Sequence, residues 1–506
     1  MHGKAKEQAE IDSEKEILEI STVQAMGKNK SGIVTQSKLQ ENLDSNAGGG
    51  KTEVYDVGKK FEVIFIESNR YYEVNKEGNV GEAKKIEKDN CPGDIEKDIN
   101  GNILDGSIEK PYEINCIEDL VAFSNMVNGE GYKLEDGKAI EIKSSKSFEN
   151  QYVVLKRNLN FESVISYNDS KRTDFGDING NTEDGNQLMT ELTKGNGFKP
   201  IGLASANHWF SGNFNGLGNK IEEIHIDRQD TEIGLFGSLN AHYYNITIQN
   251  VGVSGQINAN SEGNAGGITG RTLSQGNYYI EISNCYNFAD INSNSNGSVG
   301  GIVGLAQGTT HIIKNCYNLG NITHSNNRVY GGAGGILGFV YGPTTFKNCY
   351  NVGNVTSEND TGGIVGFCYQ QGHFFNCYNV ANSLIGGNNV GGISGNDGWK
   401  THNYINCYNM ANKMEGTNIG GIAGFSPYMD YITVTNCYYD KNLAEKGIKN
   451  WTEVAGNGIE RAEINSEEIV KQLNAYIEKG TENEEGIDTS DWKKWKIGEK
   501  GYPVYE

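Results

Sequence analysis

Short runs of β-branched and aromatic residues, separated by glycine and asparagine, recur along residues 246–440. Two phrases alternate there. Gly-Gly-Ile-X-Gly occupies 266–270, 300–304, 334–338, 362–366, 391–395 and 420–424. Asn-Cys-Tyr occupies 284–286, 315–317, 348–350, 376–378, 406–408 and 436–438, and a further Asn follows its first five copies. A period of 28 to 34 residues indicates stacked units, and the short apolar runs favour strands over helices.

This pattern predicts an all-β fold, a parallel right-handed β-helix (β-solenoid) with one repeat of 28–34 residues per coil. Successive coils then stack at the strand spacing of about 4.8 Å. A degenerate coil at 246–257, aligned with 280–291, indicates which side chains point inward. Val251 stands there in place of Cys and Gly252 in place of Tyr. Because side chains alternate along a strand, we expect each Cys inside the coil and each Tyr outside.

Two internal columns follow from this assignment. The cysteines are expected to act as small buried hydrophobes with free thiols, although the sequence does not fix their redox state. They are Cys285, Cys316, Cys349, Cys377, Cys407 and Cys437. The second asparagines are expected to form an amide ladder from coil to coil: Asn287, Asn318, Asn351, Asn379 and Asn409. Tyr439 ends this ladder in the last coil, and each glycine pair indicates either a positive φ or a close backbone approach.

The flanking segments predict caps and a separate N-terminal domain. Helical apolar spacing at 116–128 and 465–480 suits caps for the open ends of a solenoid, with strands at 151–161 and 492–505. Near the N-terminus, helical patterns at 4–26 and 35–43 precede alternating strands at 59–68 and 70–80. We therefore divide the chain into an α+β domain (1–86), a linker (87–113), the solenoid (114–440, with an N-terminal cap at 114–200) and a C-terminal cap (441–506).

The charge distribution narrows the choice of partners. The chain carries 65 acidic and 44 basic residues, a formal charge of −21, and the charges are concentrated outside the repeats. Such a surface repels phosphate backbones and anionic lipids, so nucleic acid is not an expected partner. There is no run of 18 apolar residues and therefore no expected membrane-spanning segment. We expect no cofactor, because no Cys or His spacing typical of a zinc site occurs.

The alternation of GGIxG with NCYN resembles the GLUG-motif repeat family of bacterial surface proteins, over roughly residues 114–505. This resemblance implies a secreted β-solenoid without defined catalytic residues, and the peptidase signature HExxH is absent. The N-terminal segment, with GKAKEQAEIDSEKEILEI at 3–20, resembles a type IV pilin-like protein without its anchor helix. The two resemblances imply an extracellular location on the bacterial surface, with the anchor absent from this chain, and pilus subunits as partners.

Candidate chemistry elsewhere is sparse. Asp98, Asn100, Asn102 and Glu109 match part of a calcium loop, but Ile103 stands where the sharp turn needs glycine. The segment 177–188 opens in the same way, and polar turns explain both. Cys368 near His373 suggests no catalytic pair. A lyase or hydrolase would need clustered carboxylates, which the acidic segment 161–200 could supply.

The tyrosines of the repeat are the surface feature with the clearest candidate function. They are Tyr286, Tyr317, Tyr350, Tyr378, Tyr408 and Tyr438. An outward column of six rings suits either a neutral glycan or simple self-stacking that rigidifies the sheet. We predict a cell-surface or pilus-associated adhesin or display protein without catalytic activity, whose partner is a host or environmental glycan or a surface protein. The alternatives are a polysaccharide lyase or glycoside hydrolase on a β-helix, and a purely structural pilus subunit.

Overall fold

A computed structural model describes residues 2–27, 33–56, 60–68, 70–85, 94–98, 100–135, 138–161, 195–260, 262–325, 331–451 and 455–506. The chain forms two compact units. The first comprises Met1–Cys91 and Asn160–Arg172, and the second comprises Pro92–Leu159 and Thr173–Glu506.

The first unit packs two helices against a four-stranded antiparallel sheet. The helices are α1 (His2–Gly27) and α2 (Gln36–Asn46), and the strands in sheet order are Thr52–Asp56, Lys60–Phe65, Arg70–Asn75 and Lys84–Lys85. Leu18 of α1 is buried in one core with Phe61 and Tyr72 of the sheet. Arg70 Nε donates to Glu14 Oε2 at 2.9 Å, which pairs the helix with the start of the third strand.

The second unit is a parallel β-solenoid of about seven turns. Each coil contributes to four sheets, which are numbered in the order in which one coil passes through them. Sheet 1 contains Glu232–Ile233, Asn264–Gly266, Val299–Gly300, Gly332–Gly334, Asp360–Gly362, Asn389–Gly391 and Asn418–Gly420. Sheet 2 contains Phe236–Ala241, Thr269–Ser274, Val303–Gly308, Leu337–Tyr341, Val365–Cys368, Ser394–Asp397 and Ala423–Phe425.

The other two sheets are longer. Sheet 3 contains Tyr112–Ile114, Tyr152–Leu155, Asn213–Asn215, Ile246–Gln249, Ile280–Ser283, His311–Lys314, Thr344–Lys347, Gly372–Phe375, His402–Ile405 and Ile432–Thr435. Sheet 4 contains Lys220–Arg228, Gly252–Ala259, Tyr286–Asn287, Asp290–Ser293, Tyr317–Asn318, Ile322–His324, Tyr350–Asn351, Val355–Ser357, Tyr378–Asn379, Leu384–Gly386, Tyr408–Asn409, Met414–Glu415, Tyr438–Asp440 and Asn457–Ile459. Further elements are the hairpin Tyr132–Glu135 with Lys138–Glu141, the strand Leu159–Asn160, and the 3-10 turns Ala204–Ala206, Met429–Tyr431 and Gly480–Glu482.

Equivalent repeat positions lie directly above one another. Tyr317 pairs with Tyr350, and Asn318 pairs with Asn351, in parallel register. The predicted fold class, a parallel β-solenoid with one repeat per coil and helical caps, is confirmed.

Glycine and asparagine have different structural roles at the corners of each coil. No glycine of the GGIxG phrases has a positive φ. These glycines instead allow close approach, since a Cβ on Gly363 would lie 2.5 Å from Asn379 Cγ. The left-handed conformation belongs to the first residue of each NCY phrase, because the short polar side chain of Asn tolerates it. These residues have φ between 48° and 57°: Asn284, Asn315, Asn348, Asn376, Asn406 and Asn436.

Helix α3 (Ile117–Asn128) closes the front of the solenoid. It begins at Cys116, whose sulfur accepts from Asp119 N. Phe123 packs edge-on against Phe210, with ring centroids 5.4 Å apart. Asn128 Nδ2 donates to Pro200 O at 2.9 Å, which ties the end of the helix to the first coil.

The C-terminal residues return along the outside of the solenoid. They form helices α4 (Arg461–Ile464) and α5 (Glu467–Glu478) and a hairpin of Trp495–Ile497 with Pro503–Tyr505. Helix α5 begins at Ser466, whose side chain accepts from Ile469 N, and its apolar face includes the buried Leu473. This face and Trp495 share one core with the outer side of sheet 4.

Candidate functional site

The second asparagine of each repeat forms a continuous buried ladder inside the solenoid. Asn287 Nδ2 donates to Asn318 Oδ1 at 2.8 Å, and Asn318 Nδ2 donates to Asn351 Oδ1 at 2.9 Å. The same bond continues through Asn379 to Asn409. The second amide hydrogen reaches the backbone of its own coil, as in Asn318 Nδ2 to Gly320 O at 2.8 Å. Hydrogen bonds therefore satisfy a polar column that is shielded from water.

The cysteines of the repeats form a parallel column. All six are fully buried and free: Cys285, Cys316, Cys349, Cys377, Cys407 and Cys437. Their thiols donate to backbone carbonyls, as Cys349 Sγ does to Ile313 O at 3.3 Å. Burial raises the pKa of the Cys316 thiol well above its ordinary value, which disfavours the reactive thiolate.

One cysteine outside the repeats differs from these six. Cys116, the residue before helix α3, is disulfide-bonded. It stands apart from the repeats, so the expectation of free thiols for the repeat cysteines does not extend to it. A disulfide is typical of proteins in an oxidising compartment.

A second amide ladder runs along the outer corner and was missed from the sequence. Asn315 Nδ2 donates to Asn284 Oδ1 at 3.0 Å, and Asn348 Nδ2 donates to Asn315 Oδ1 at 3.0 Å. The bonds continue to Asn376, Asn406 and Asn436. The signal was the constant Asn before Cys, since Asn is enriched among left-handed residues.

The tyrosines of the repeats stack on one another outside the coil. Tyr286 and Tyr317 are 5.0 Å apart between ring centroids, and Tyr317 and Tyr350 are 4.8 Å apart, each pair 7° from parallel. Stacking continues through Tyr378 to Tyr408. Both faces of Tyr317 are therefore covered by its neighbours. The column presents ring edges and hydroxyls to the outside.

The C-terminal residues cover one end of this column. Tyr378, Tyr408 and Tyr438 are 3%, 0% and 5% exposed, whereas Tyr286 and Tyr317 are partly exposed. Burial raises the pKa of Tyr438 to about 12. The accessible strip is consequently shorter than the six rings that the sequence indicates.

Exposed aromatic side chains concentrate at a different corner, between sheets 2 and 3. Seven aromatic residues are exposed in the described part of the chain, and six of them lie at this corner. We call these six the aromatic corner: Tyr243, Tyr244, Tyr341, Trp399, Tyr428 and Tyr431. The seventh is Phe288 on sheet 4. They lie in segments such as HYYN and SPYMDY, outside both repeated phrases, which is why repeat analysis passed over them.

Two pairs of neighbouring rings at the aromatic corner have accessible surface. Trp399 is 64% exposed, and its ring centroid lies 5.3 Å from that of Tyr428. Tyr341 is 46% exposed and stacks on Tyr369 at 5.5 Å. The segments 398–401 and 426–431 contain only one basic and one acidic residue, Lys400 and Asp430. The surface is therefore aromatic and nearly neutral.

Other candidate sites offer little for chemistry. The described residues contain no group of three or more His, Cys, Asp or Glu that could hold a metal ion. Asp98 forms a tight local turn, accepting from Asn100 N at 2.9 Å and Asn102 N at 2.8 Å. Hydrogen bonds from Asn102 lower the pKa of Asp98. The segment 177–188 lies outside the described residues, as does nearly all of 161–200.

Two buried titratable groups have strongly shifted pKa values. Burial raises the pKa of Glu232 to about 7, although Asn264 Nδ2 donates to it at 3.0 Å. Burial lowers the pKa of His311 to about 3. Neither ring nitrogen of His311 has a hydrogen-bond partner among the described residues. Cys368 is also buried. Burial raises the pKa of its thiol well above the ordinary value, and the nearby Asp397 raises it further.

None of the helices that the structure describes is long and apolar enough to cross a bilayer.

Comparison of the sequence with known protein families gives no match, and comparison with curated proteins gives none either. A similar solved structure is that of a "putative immunoglobulin A1 protease" from Bacteroides ovatus. It is 17% identical, has a TM-score of 0.38, and the alignment covers 80% of this chain and 95% of that chain.

This neighbour contradicts the prediction that the chain is without catalytic activity, and we withdraw that prediction. The reason for the error is that the prediction rested on the few acids of the repeats and the missing HExxH signature. The first observation does not bear on residues outside the repeats, and the second does not bear on other catalytic chemistry. A likeness this remote carries no argument about a reaction of this chain.

Proposed function

We propose that this protein is an extracellular, cell-surface adhesin or display protein whose solenoid binds a neutral glycan at the aromatic corner. The observation that carries this proposal is the placement, among the described residues, of six of the seven exposed aromatic side chains at one corner of the coils. Exposed apolar side chains that gather in one region often mark a binding site, whereas singly scattered ones are ordinary. A surface that gathers Tyr and Trp suits ligands with both apolar faces and polar groups.

The chemistry of the aromatic corner favours an uncharged sugar. Sugar rings present C–H faces that pack on an aromatic ring, and Trp399 offers the largest exposed ring there. Gln370 and Gln371 lie in the same corner of the coils, between the strands Val365–Cys368 and Gly372–Phe375. Their side chains can exchange hydrogen bonds with hydroxyl groups. With Lys400 and Asp430 as its charges, the corner provides no cluster that would select a polyanion.

The surface location is supported by two observations. The disulfide at Cys116 suits an oxidising environment outside the cytoplasm. In the N-terminal unit, the long helix α1 packs against a four-stranded antiparallel sheet, which suits the proposed pilin-like role of that unit. Pilus subunits are accordingly proposed as partners of the N-terminal unit.

The proposal is tested by screening the full chain on a glycan array and measuring the affinity of a neutral hit by calorimetry. Trp399→Ala should weaken binding at least tenfold, about 1.4 kcal/mol, because it removes the largest exposed ring. Trp399→Phe keeps a ring and should retain most of the affinity. Phe288→Ala is the matched control, since it removes an exposed aromatic ring that lies away from this corner.

The outcomes separate the candidate surfaces. Loss of binding in Trp399→Ala with an unchanged melting temperature supports the aromatic corner. Loss confined to a Tyr286→Ala and Tyr317→Ala double variant would instead support the tyrosine column as the glycan site. A chain that binds no neutral glycan, or binds equally in all these variants, overturns the proposal.

A further inference from the structure

The side chains of the outer asparagine ladder bind the backbone of residues that precede the strand Trp495–Ile497 near the C-terminus. We call residues 491–505 the C-terminal segment. Asn348 Nδ2 donates to Asp491 O at 3.0 Å, and Asn348 Oδ1 accepts from Lys493 N at 3.1 Å. Asn376 Nδ2 then donates to Lys493 O at 2.9 Å. The amide of Asn348 thus pairs with the backbone as a neighbouring strand would. Both the N–H and the C=O of Lys493 are hydrogen-bonded to ladder side chains.

The tyrosine edges receive aromatic rings from the same segment. The ring of Trp495 lies 5.4 Å from Tyr378 and 5.6 Å from Tyr408 between centroids. Its Nε1 donates to Asn376 Oδ1 at 2.7 Å. Tyr505 packs edge-on against Tyr378 at 5.1 Å. Edge-to-face packing of this kind adds to the energy of burial.

The same arrangement continues, uncovered, on the two preceding coils. We call this surface the open stripe: Asn284, Tyr286, Phe288, Asn315, Tyr317 and Leu319. Asn284 and Asn315 have the same left-handed backbone, with φ of 53° and 55°. Each uses one amide hydrogen in the ladder. Within the described residues, neither makes the second donation that Asn348 and Asn376 make to the C-terminal segment.

The apolar positions beside the ladder show the same contrast. Phe288 and Leu319 are 44% and 37% exposed. Met410 stands at the equivalent position in a covered coil and is 5% exposed. The open stripe is therefore a direct continuation of an interface that the chain already forms with a polypeptide.

We propose that the open stripe binds an extended polypeptide segment that carries aromatic side chains, with its backbone held between Asn284 and Asn315. The register also indicates an acidic residue before the aromatic one. Lys347 binds Asp491 at 2.8 Å in the covered part, and Lys314, which pairs with Glu281 at 3.0 Å, occupies the equivalent position beside the open stripe. The partner chemistry is thus that of Asp491–Trp495, an acidic residue followed by two tryptophans.

The test uses a fluorescent synthetic peptide with the sequence of residues 490–506 and the full chain, with binding followed by anisotropy. A double variant, Asn284→Gly and Asn315→Gly, removes both amides while glycine keeps the left-handed backbone. It should bind the peptide at least tenfold more weakly than the wild type. Asn207→Gly is the matched control, because Asn207 is also left-handed, with φ of 56°, and lies outside the stripe.

A second variant guards against general effects of the double substitution. Leu319→Asp places a charge in the apolar part of the open stripe and should weaken binding to a similar extent. Binding that stays unchanged in both variants shows that the peptide has displaced the C-terminal segment, and this overturns the proposal. Wild-type affinity weaker than about 1 mM overturns it as well. Variants of Trp399 should leave peptide binding unchanged, so the outcome is independent of glycan binding.

Discussion

Gly301 lies directly against the buried side chain of Asn318, so the two repeated phrases of the sequence meet in one contact. A Cβ on Gly301 would lie 2.5 Å from Asn318 Cγ, closer than carbon atoms approach. The amide of Asn318 is meanwhile bonded to the ladder residues on both sides. Glycine provides the room, and asparagine fills it with hydrogen bonds. The same pairs recur as Gly267 with Asn287, Gly335 with Asn351, Gly363 with Asn379 and Gly392 with Asn409.

The ladder predicts a large effect of removing one amide. Asn318→Ala should lower the free energy of unfolding of the solenoid by at least about 3 kcal/mol, because several buried polar groups lose their partner and each costs 1–3 kcal/mol. Denaturant unfolding of the full chain measures this change. Asn292→Ala is the control, since Asn292 makes only a long, exposed bond to Asn258 at 3.4 Å. Equal stability of the two variants would show that the ladder does not hold the coils together.

The cysteine column predicts opposite effects of two substitutions at one position. Cys349→Val should change the melting temperature little, because Val251 occupies the equivalent buried position in an upstream coil. Cys349→Asp should destabilise strongly, by about 4 kcal/mol or more, because it places an unpaired carboxylate in a dry interior. Thermal melting of the two variants in parallel provides the measurement. An unchanged melting temperature for Cys349→Asp contradicts the inward assignment.

Glu232 predicts a specific pH dependence. Its pKa rises from 4.5 to about 7 on folding, so the folded protein holds this proton more tightly than the unfolded chain. The resulting stability is complete below about pH 4.5 and is lost as the pH rises through about 7, by at most about 3 kcal/mol. Glu232→Gln should therefore melt at a higher temperature than the wild type at pH 8 and show a smaller difference at pH 5.

The exposed Glu445 provides the control for this pH effect. Glu445→Gln should follow the wild type at both pH values. A Glu232→Gln variant whose melting temperature falls with pH as steeply as that of the wild type would show that this carboxyl group is ionised at little cost.

Much of the solenoid follows from local sequence, because every coil repeats the same strands and corners. The single substitution of Cys by Val251 was enough to orient the column. The return of the C-terminal segment over Tyr378 and Tyr408 could not be predicted, since the amphipathic pattern of α5 shows an apolar face without showing what it covers. The aromatic corner was missed for another reason. Residues such as Trp399 and Tyr341 occupy different positions within their repeats and come to the same corner only when the coils stack.

The most direct test of the contact between the two phrases is a double-mutant cycle on Gly301 and Asn318, followed by thermal melting of the full chain. Gly301→Ala should lower the melting temperature, and so should Asn318→Gly. The added methyl group meets both Gly335 O and the Asn318 side chain, and Asn318→Gly relieves only the second contact. The combined variant should therefore lose less than the sum of the two single losses, with the cost of the backbone contact remaining. Losses that simply add would contradict the account.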